Sequence, residues 1–537
     1  MRLTELLKLK SSTISWVSVL DKKNIAKASL GISFLTFLGS IAGFIRQIII
    51  TYYFGATNKT DAFFAALLIP TLAISLFGGA VSTIIIPFFT DNLFNRDKEE
   101  AMKFASSILN FSFIINLVLI LFIAVFMKRI VSLEVPGFSR NEINMTVRMA
   151  FIMLPIIIFS TSILMISAIL NSLKLFLIAS SQNLIINLFV VLFIFFFRKV
   201  GIESIAYGFL FAYVIFAIID FFYLLKLNFK FTLTFDMKVL KPIKIAILAV
   251  ISIQFIELFP SFFNNLFSSY LAKGSITYLN IAHRLRNFNI SLIAYPLSTA
   301  LFPYLSQNFS EKTKDNFSEN LLFGFRILNL ISIPLIFILV FFANDIVAIL
   351  FYHGNFNKTD TANTSSVLVA YSWSLVAYIY IIVLIKVFFA MKEFIIPIVA
   401  SFIFAAINVF FDFVLVNHLK VVGIASANSI ALSCEFIIMF TYLLSKKVKI
   451  KFWKEFVIPL LKIITASVAM ALISKFIFLN LKKLNMLYSG FHNSLPFLLT
   501  ALIASLIYIT ILKLLRFEDV NLIFYIPKKI VSRFIKK

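Results

Sequence analysis

Four cations stand where apolar sequence tolerates them poorly: Arg46, Arg284, Arg286 and Lys386 all lie within long hydrophobic runs. A charged group at the centre of a bilayer costs at least about 2.5–3.5 kcal/mol on insertion scales, so such residues face a cavity, a partner or the interface. Arg46 lies a turn or two from the end of its run, where it either snorkels to the interface or turns into a cavity. Arg284 and Arg286 are two residues apart, which on a helix sets them about 200° apart. One is therefore expected to face a cavity, the other a neighbour or the interface. A cationic midplane cavity calls for an anion, and a guanidinium matches phosphate with a two-pronged fork.

The intramembrane anions are Asp220, Glu257, Asp412 and Glu435, with Asp61 at the start of another run. Asn408 and Asp412 are spaced i, i+4, which puts an amide oxygen and a carboxylate on one helix face. That pair either ligates a hard cation such as sodium or forms a hydrogen bond between helices. His283, His353, His418 and His492 lie at or near loops or beside Arg284. His283 reads as a proton relay or as a packing residue. Cys434 is the single cysteine, so an intramolecular disulfide is excluded, and no Cys/His metal cluster is apparent. The G-x-x-x-x-G-K-[ST], H-E-x-x-H and G-x-S-x-G patterns are missing, which argues against ATP hydrolysis and the matching hydrolase chemistries.

The elements that must carry these residues follow from composition. Of 537 residues 61% are apolar and 14% charged, with a mean hydropathy of +1.00. Soluble domains run roughly 45–50% apolar and about 25% charged, and disordered chains are poor in apolar residues. The chain reads as an all-α polytopic membrane protein. Fourteen apolar segments are long enough to span: 29–53, 62–90, 101–127, 146–171, 175–197, 203–226, 239–270, 275–305, 318–343, 365–390, 394–417, 422–444, 456–480 and 493–516. Their runs are continuous, without the alternation of a barrel strand. With the N-terminus inside, Lys and Arg concentrate in the inside segments, which places both termini in the cytoplasm. The same bias explains the net charge of +25 without invoking nucleic acid.

A repeat organises the spans. Ile74-Ser75-Leu76 matches Ile290-Ser291-Leu292, Ser82-Thr83 matches Ser298-Thr299, Pro87 matches Pro303 and Asn92 matches Asn308, each pair 216 positions apart. The copies are six helices apart and share one orientation, which predicts two six-helix lobes related by an axis along the membrane normal, with a cavity between them. The expected divisions are a cytoplasmic segment 1–28, an N-lobe 29–226, a C-lobe 227–444, two extra helices in 445–516 and a basic tail 517–537. The tail either lies on the anionic inner leaflet or is a frayed end.

The stretches G-F-I-R-Q (Gly43 to Gln47), Phe54-Gly55-Ala56, T-D-A-F-F (Thr60 to Phe64) and Ile69-Pro70 resemble the start of the MurJ/MviN family of lipid II flippases, within the multidrug/oligosaccharidyl-lipid/polysaccharide transporter superfamily. The resemblance continues at Gly274 to Leu285, Phe351 to Phe356 and Lys386-Val387. It implies a two-lobed transporter, commonly of fourteen helices, that turns a lipid-linked peptidoglycan precursor across the cytoplasmic membrane as a monomer, without breaking a bond. The family's cavity arginines fall on Arg46 and Arg284 and its T-D-A-F-F aspartate on Asp61, with Arg286 and Lys386 as further substrate-binding candidates. The sodium pair of some members falls on Asn408 and Asp412, with Asn264 and Asn428 as further ligands and no other cofactor. This chain departs from the pattern: Gln47 and His283 replace aspartates, Gly39-Ser40 replaces a Ser-Arg pair, and Ala73 to Gly79 lacks an arginine pair and a glutamate. The alternatives are a flippase for another lipid-linked polysaccharide unit (capsule, O-antigen or exopolysaccharide) and a cation-coupled multidrug exporter. The exporter would need an acidic cavity, and a non-transporting scaffold would need no midplane charges.

Overall fold

The computed structural model describes residues 22–79, 89, 98–173, 175–227, 229–235, 244–290, 314–391, 393, 395–445, 452–488 and 494–517. The tail after Phe517, most of the 1–28 segment, His492 and most of the repeat pairs lie outside them. The described secondary structure is helical, and it follows from hydropathy. With no water to satisfy the backbone, each span closes its own N–H···O=C bonds.

The N-terminal half comprises α1 (Lys22–Phe54), α2 (Asn58–Ala73), α3 (Lys98–Glu134), α4 (Arg140–Met153), α5 (Ile156–Ser172), α6 (Phe176–Phe197) and α7 (Glu203–Lys226). Pro70 lies inside α2, which loosens into a π-helical turn over Ile74–Gly79. Pro155 separates α4 from α5, since it cannot donate to the helical ladder. Phe63, Met127, Met149, Val190 and Phe216 are fully buried in one core among these helices. Residues 229–235 lie against α3, where Asn110 donates to the Thr232 and Thr234 carbonyls at 2.9 and 3.0 Å.

The C-terminal half comprises α8 (Lys244–Ser269), α9 (275–290), α10 (Lys314–Phe341), α11 (Ala343–Phe351), α12 (Lys358–Ser372), α13 (Leu375–Ala390) and α14 (Ile395–Ser445). At 51 residues α14 would be about 75 Å long, more than twice the ~30 Å hydrocarbon core. It breaks at Lys420 (φ 52°), so the expected spans 394–417 and 422–444 are its two arms. Among the described residues ten helices are long and apolar enough to cross a membrane. The α12–α13 pair, bent by 45°, raises that to eleven if taken as one span. The expected spans 62–90 and 275–305 run into residues outside the described set.

Helices α15 (Ile458–Tyr488) and α16 (Ser494–Leu514) pack on α10 through Leu330, Ile333, Ile463, Ala466 and Tyr508. An ion pair ties them down as well. Lys475 Nζ donates to Asp345 Oδ2 of α11 at 2.6 Å and lies over the Phe342 ring at 4.8 Å. Elsewhere the outward surface is apolar, with Val125 78% and Phe196 70% exposed, the face a lipid solvent covers.

Asp345→Ala should lower the thermal midpoint in detergent by the equivalent of about 1–3 kcal/mol, because Lys475 loses its acceptor. The double replacement Asp345→Leu with Lys475→Met should recover most of that loss. Equal midpoints for the single variant and the parent would remove the anchor.

Candidate functional site

The two halves meet at two levels. The first is a polar seam at the end of the bundle carrying the 55–57, 135–139, 270–274 and 352–357 connections. Asp61, 3% exposed, directs both carboxylate oxygens at the other half. Oδ2 accepts from the Gly274 N–H at 2.6 Å, and Oδ1 accepts from the Thr277 N–H at 2.8 Å and its hydroxyl at 2.6 Å. Gly274 has φ +91°, and a methyl there would lie 2.8 Å from the Ala56 carbonyl, so the chains touch backbone to backbone. Beside it the Asn355 N–H donates to Tyr52 O at 2.9 Å, Asn265 Nδ2 donates to Glu134 Oε1 at 2.8 Å, and the Gly137 N–H donates to Ser269 Oγ at 3.0 Å. Asp61, expected as a substrate ligand, here has its oxygens engaged by Gly274 and Thr277 of the other half. Asp61 and Thr277 are 216 positions apart, the offset of the sequence repeat.

The second level lies deeper. Arg46 on α1 donates from Nη1 to Asn187 Oδ1 of α6 at 2.6 Å and covers the Phe209 ring of α7 at 4.6 Å. Its Nε is buried without an acceptor. Asn187 Nδ2 donates to Asn183 O at 2.6 Å, which turns Oδ1 toward the arginine. Arg284 on α9 comes from the other half and lies against Gly43, so closely that a Cβ at Gly43 would overlap its Nη2. The same Cβ would be 3.1 Å from Asn187 Nδ2, so both guanidinium groups border one amide. Neither has a carboxylate partner among the described residues. Gln47, 2% exposed, leaves its Nε2 without a partner and offers Arg46 no counter-charge.

The two arginines of α9 diverge as their spacing requires. Arg286 points away from Arg284 into a cavity of about 700 Å³ within the second half. Lys386, His283, Tyr371, Asn428 and Glu435 also line it. Arg286 is 3% exposed and donates from Nη1 to Asn428 Oδ1 at 2.8 Å and Ser374 Oγ at 3.1 Å. Its guanidinium carbon is 4.9 Å from the Tyr371 ring centre and 5.4 Å from that of Tyr378. Among the expected substrate-binding residues, Arg46 and Arg284 come together, Arg286 and Lys386 share the cavity, and Asp61 stands apart in the seam.

Of the expected sodium ligands, three gather and one does not. Asn408 and Asp412 on α14 are fully buried, and both amide atoms of Asn408 and Oδ1 of Asp412 lack a partner. The amide end of Asn264 lies 3.1 Å from Asp412 Oδ2 and 3.2 Å from Pro260 O, and turned with Nδ2 toward them it donates to both. Buried oxygens without donors suit a monovalent hard cation. No group of three His, Cys, Asp or Glu that could hold a metal occurs among the described residues, so the set does not suit zinc-like chemistry. Asn428 is corrected: its oxygen accepts from Arg286 and belongs to the cavity. Asn187, Phe209 and the Glu134–Asn265 pair escaped the sequence reading. Asn187 and Asn265, inside apolar runs, carry the same signal that marked the arginines, whereas Glu134 lies past the end of its run.

The family profile described as lipid II flippase MurJ matches residues 50–497. The "probable lipid II flippase MurJ" of Buchnera aphidicola subsp. Schizaphis graminum is 30% identical over 79% of this chain and 84% of its own length. That of Rickettsia prowazekii is 28% identical over 75% and 81%. Among solved structures, a lipid II flippase MurJ in an inward closed conformation superposes with a TM-score of 0.77 at 24% identity, over 92% of this chain and 99% of that one. An inward-facing multidrug MATE transporter gives 0.61 at 16%, over 77% and 94%. These superpositions establish the fold.

Asp61→Ala should strand the Gly274 and Thr277 N–H groups, at about 1–3 kcal/mol per lost partner. Amide hydrogen exchange at residues 274–277 should then quicken about tenfold or more. Exchange as slow as in the parent protein would show that Asp61 does not hold the seam.

Proposed function

This chain belongs to the lipid II flippase MurJ family, and from that premise we propose that it moves lipid II from the inner to the outer leaflet of the cytoplasmic membrane. The observation that carries the reading is the pair Arg46 and Arg284, brought from opposite halves to one asparagine with no carboxylate between them. Two unneutralised guanidinium groups suit a diphosphate, each prong of the fork meeting an oxygen. The same pair disfavours a cationic drug as cargo.

The headgroup enters from the cytoplasmic side, with the positive-inside bias placing the latched seam outside. Arg46 and Arg284 grip the diphosphate while the polyprenyl tail stays in lipid. Neutralising the two cations removes their repulsion and lets the halves close on the inner side. The seam, built from hydrogen bonds to two carboxylates and to loop backbone, then releases, and the headgroup leaves outward. No covalent step is required, so the chain works as a transporter, acting as a monomer with both termini in the cytoplasm.

Sodium bound by Asn408 and Asp412, with Asn264 turning its Oδ1 to the ion, would supply a counter-charge to Asp412 and join the first arm of α14 to α8. The unpartnered atoms of Asn408 and Asp412 support this reading.

Arg46→Ala and Arg284→Ala should each cut the appearance of labelled lipid II on the outer face at least tenfold in proteoliposomes, with the melting midpoint kept within a few degrees. Flipping at the parental rate by both variants would sink the diphosphate role. For the cation, replacing choline chloride by sodium chloride should raise the midpoint of the parent protein by a few degrees. Asp412→Asn should abolish that difference, and an equal rise in the variant would place the ion elsewhere.

A further inference from the structure

We propose that the second-lobe cavity is a carboxylate receptor anchored on Arg286, taking an acidic group of the headgroup's peptide apart from the diphosphate at Arg46 and Arg284. This rests on the reading above that the cargo is a peptidoglycan precursor, a diphosphate-linked sugar unit bearing a short acidic peptide.

Arg286 is equipped for an anion it does not have. Its Nη1 and Nε meet neutral acceptors: Ser374 Oγ, Asn428 Oδ1 and, at 3.4 Å, Asn287 Oδ1. Nη2 has no acceptor among the described residues, and it is not among the side-chain atoms sealed from the cavity. No carboxylate pairs with this arginine among the described residues, although it is 3% exposed. A buried charge held only by neutral dipoles and two tyrosine faces is costly unless an anion completes it. The fixed Nη1 contacts set the plane of the guanidinium, leaving one edge for a carboxylate.

The surroundings select for the same class of ligand. The cavity, at about 700 Å³, holds more than a bare ion. Its neutral polar lining of Asn264, Asn287 and Tyr378 offers donors and acceptors to amides and hydroxyls, as a sugar–peptide presents them. Lys386 adds a second cation. Glu435 supplies the opposite sign, its Oε1 accepting from Ser401 Oγ at 2.9 Å, and so restricts where a carboxylate can settle. The lining comes wholly from residues 258–435 of the second half. The diphosphate is tied to a tail in lipid and is claimed by the interlobe pair. The peptide is the part of the headgroup free to reach further in. Arg284 and Arg286 lie only about 3 Å apart along the α9 axis, so one helix presents a cation to each end of the same headgroup.

The test compares lipid II with the same lipid whose peptide carboxylates have been converted to amides, in proteoliposomes. The parent protein should flip the acid form about tenfold or more faster at limiting lipid, the value of one charged hydrogen-bonded pair. Arg286→Gln should slow the acid form to the rate of the amide and leave the amide unchanged, and Arg286→Lys should keep part of the preference. A parent that flips both forms equally overturns the proposal without any variant, and so does an Arg286→Gln that slows both forms alike. Failure of the parent to flip either form would instead overturn the flippase reading.

Discussion

Two like charges brought to one place from the two lobes form the constraint around which the protein is organised. Arg46 and Arg284 come from different halves, border the same asparagine and lack an anion among the described residues. Guanidinium groups in a medium of low dielectric repel one another strongly, so their positions must be imposed by rigid surroundings. Asn187 fixes one by a hydrogen bond, Phe209 lies beneath it, and the missing side chain at Gly43 admits the other. A ligand that supplies two negative charges changes the sign of this interaction, from one that holds the halves apart to one that draws them together. In the mechanism proposed above, lobe closure on that side depends on cargo, as a differential affinity between two states demands.

The opposing end uses a different chemistry. Its seam is made of hydrogen bonds to loop backbone and to the ends of helices, with Asp61 taking three of them. Such contacts are directional and lose little when replaced by water, which suits a surface that must part and re-form. Asp61 meets Thr277 at the offset of 216 that separates the matching pairs in the sequence.

Much of this was legible in residue types. Hydropathy gave the spans because lipid forces each to satisfy its own backbone, and the cost of intramembrane charge marked Arg46, Arg284, Arg286, Asp412 and Lys386. The family match over residues 50–497 covers the Phe54 to Phe64 part of the resemblance, and Gly43 to Gln47 precede it. What the sequence left open was direction. Spacing required Arg284 and Arg286 to diverge without saying which met the other half. That is settled by a glycine 241 positions upstream of Arg284 and by the tyrosines and asparagine that enclose Arg286. The surroundings of Asp61 were hidden for a related reason. A carboxylate at a helix start in a transporter suggests cargo, but the donors that saturate it lie more than 200 positions away. The Asn408–Asp412 pair keeps both of its readings, and its unpartnered atoms among the described residues support the sodium proposal.

The absent charges follow the same logic as those present. Gln47 and His283 flank the two arginines where the family pattern has aspartates, and neither brings a fixed negative charge to the lobe boundary. A carboxylate beside each arginine would neutralise it in the empty protein, and the cargo would then have to displace an internal partner before binding. Without those carboxylates the empty site is less stable, since its cations remain exposed to each other. The gain on binding a diphosphate is correspondingly larger, because no internal ion pair is broken. Such a site trades stability of the unloaded lobes for affinity toward a doubly charged ligand. It also leaves selectivity between headgroups to contacts beyond the diphosphate, on the far side of α9.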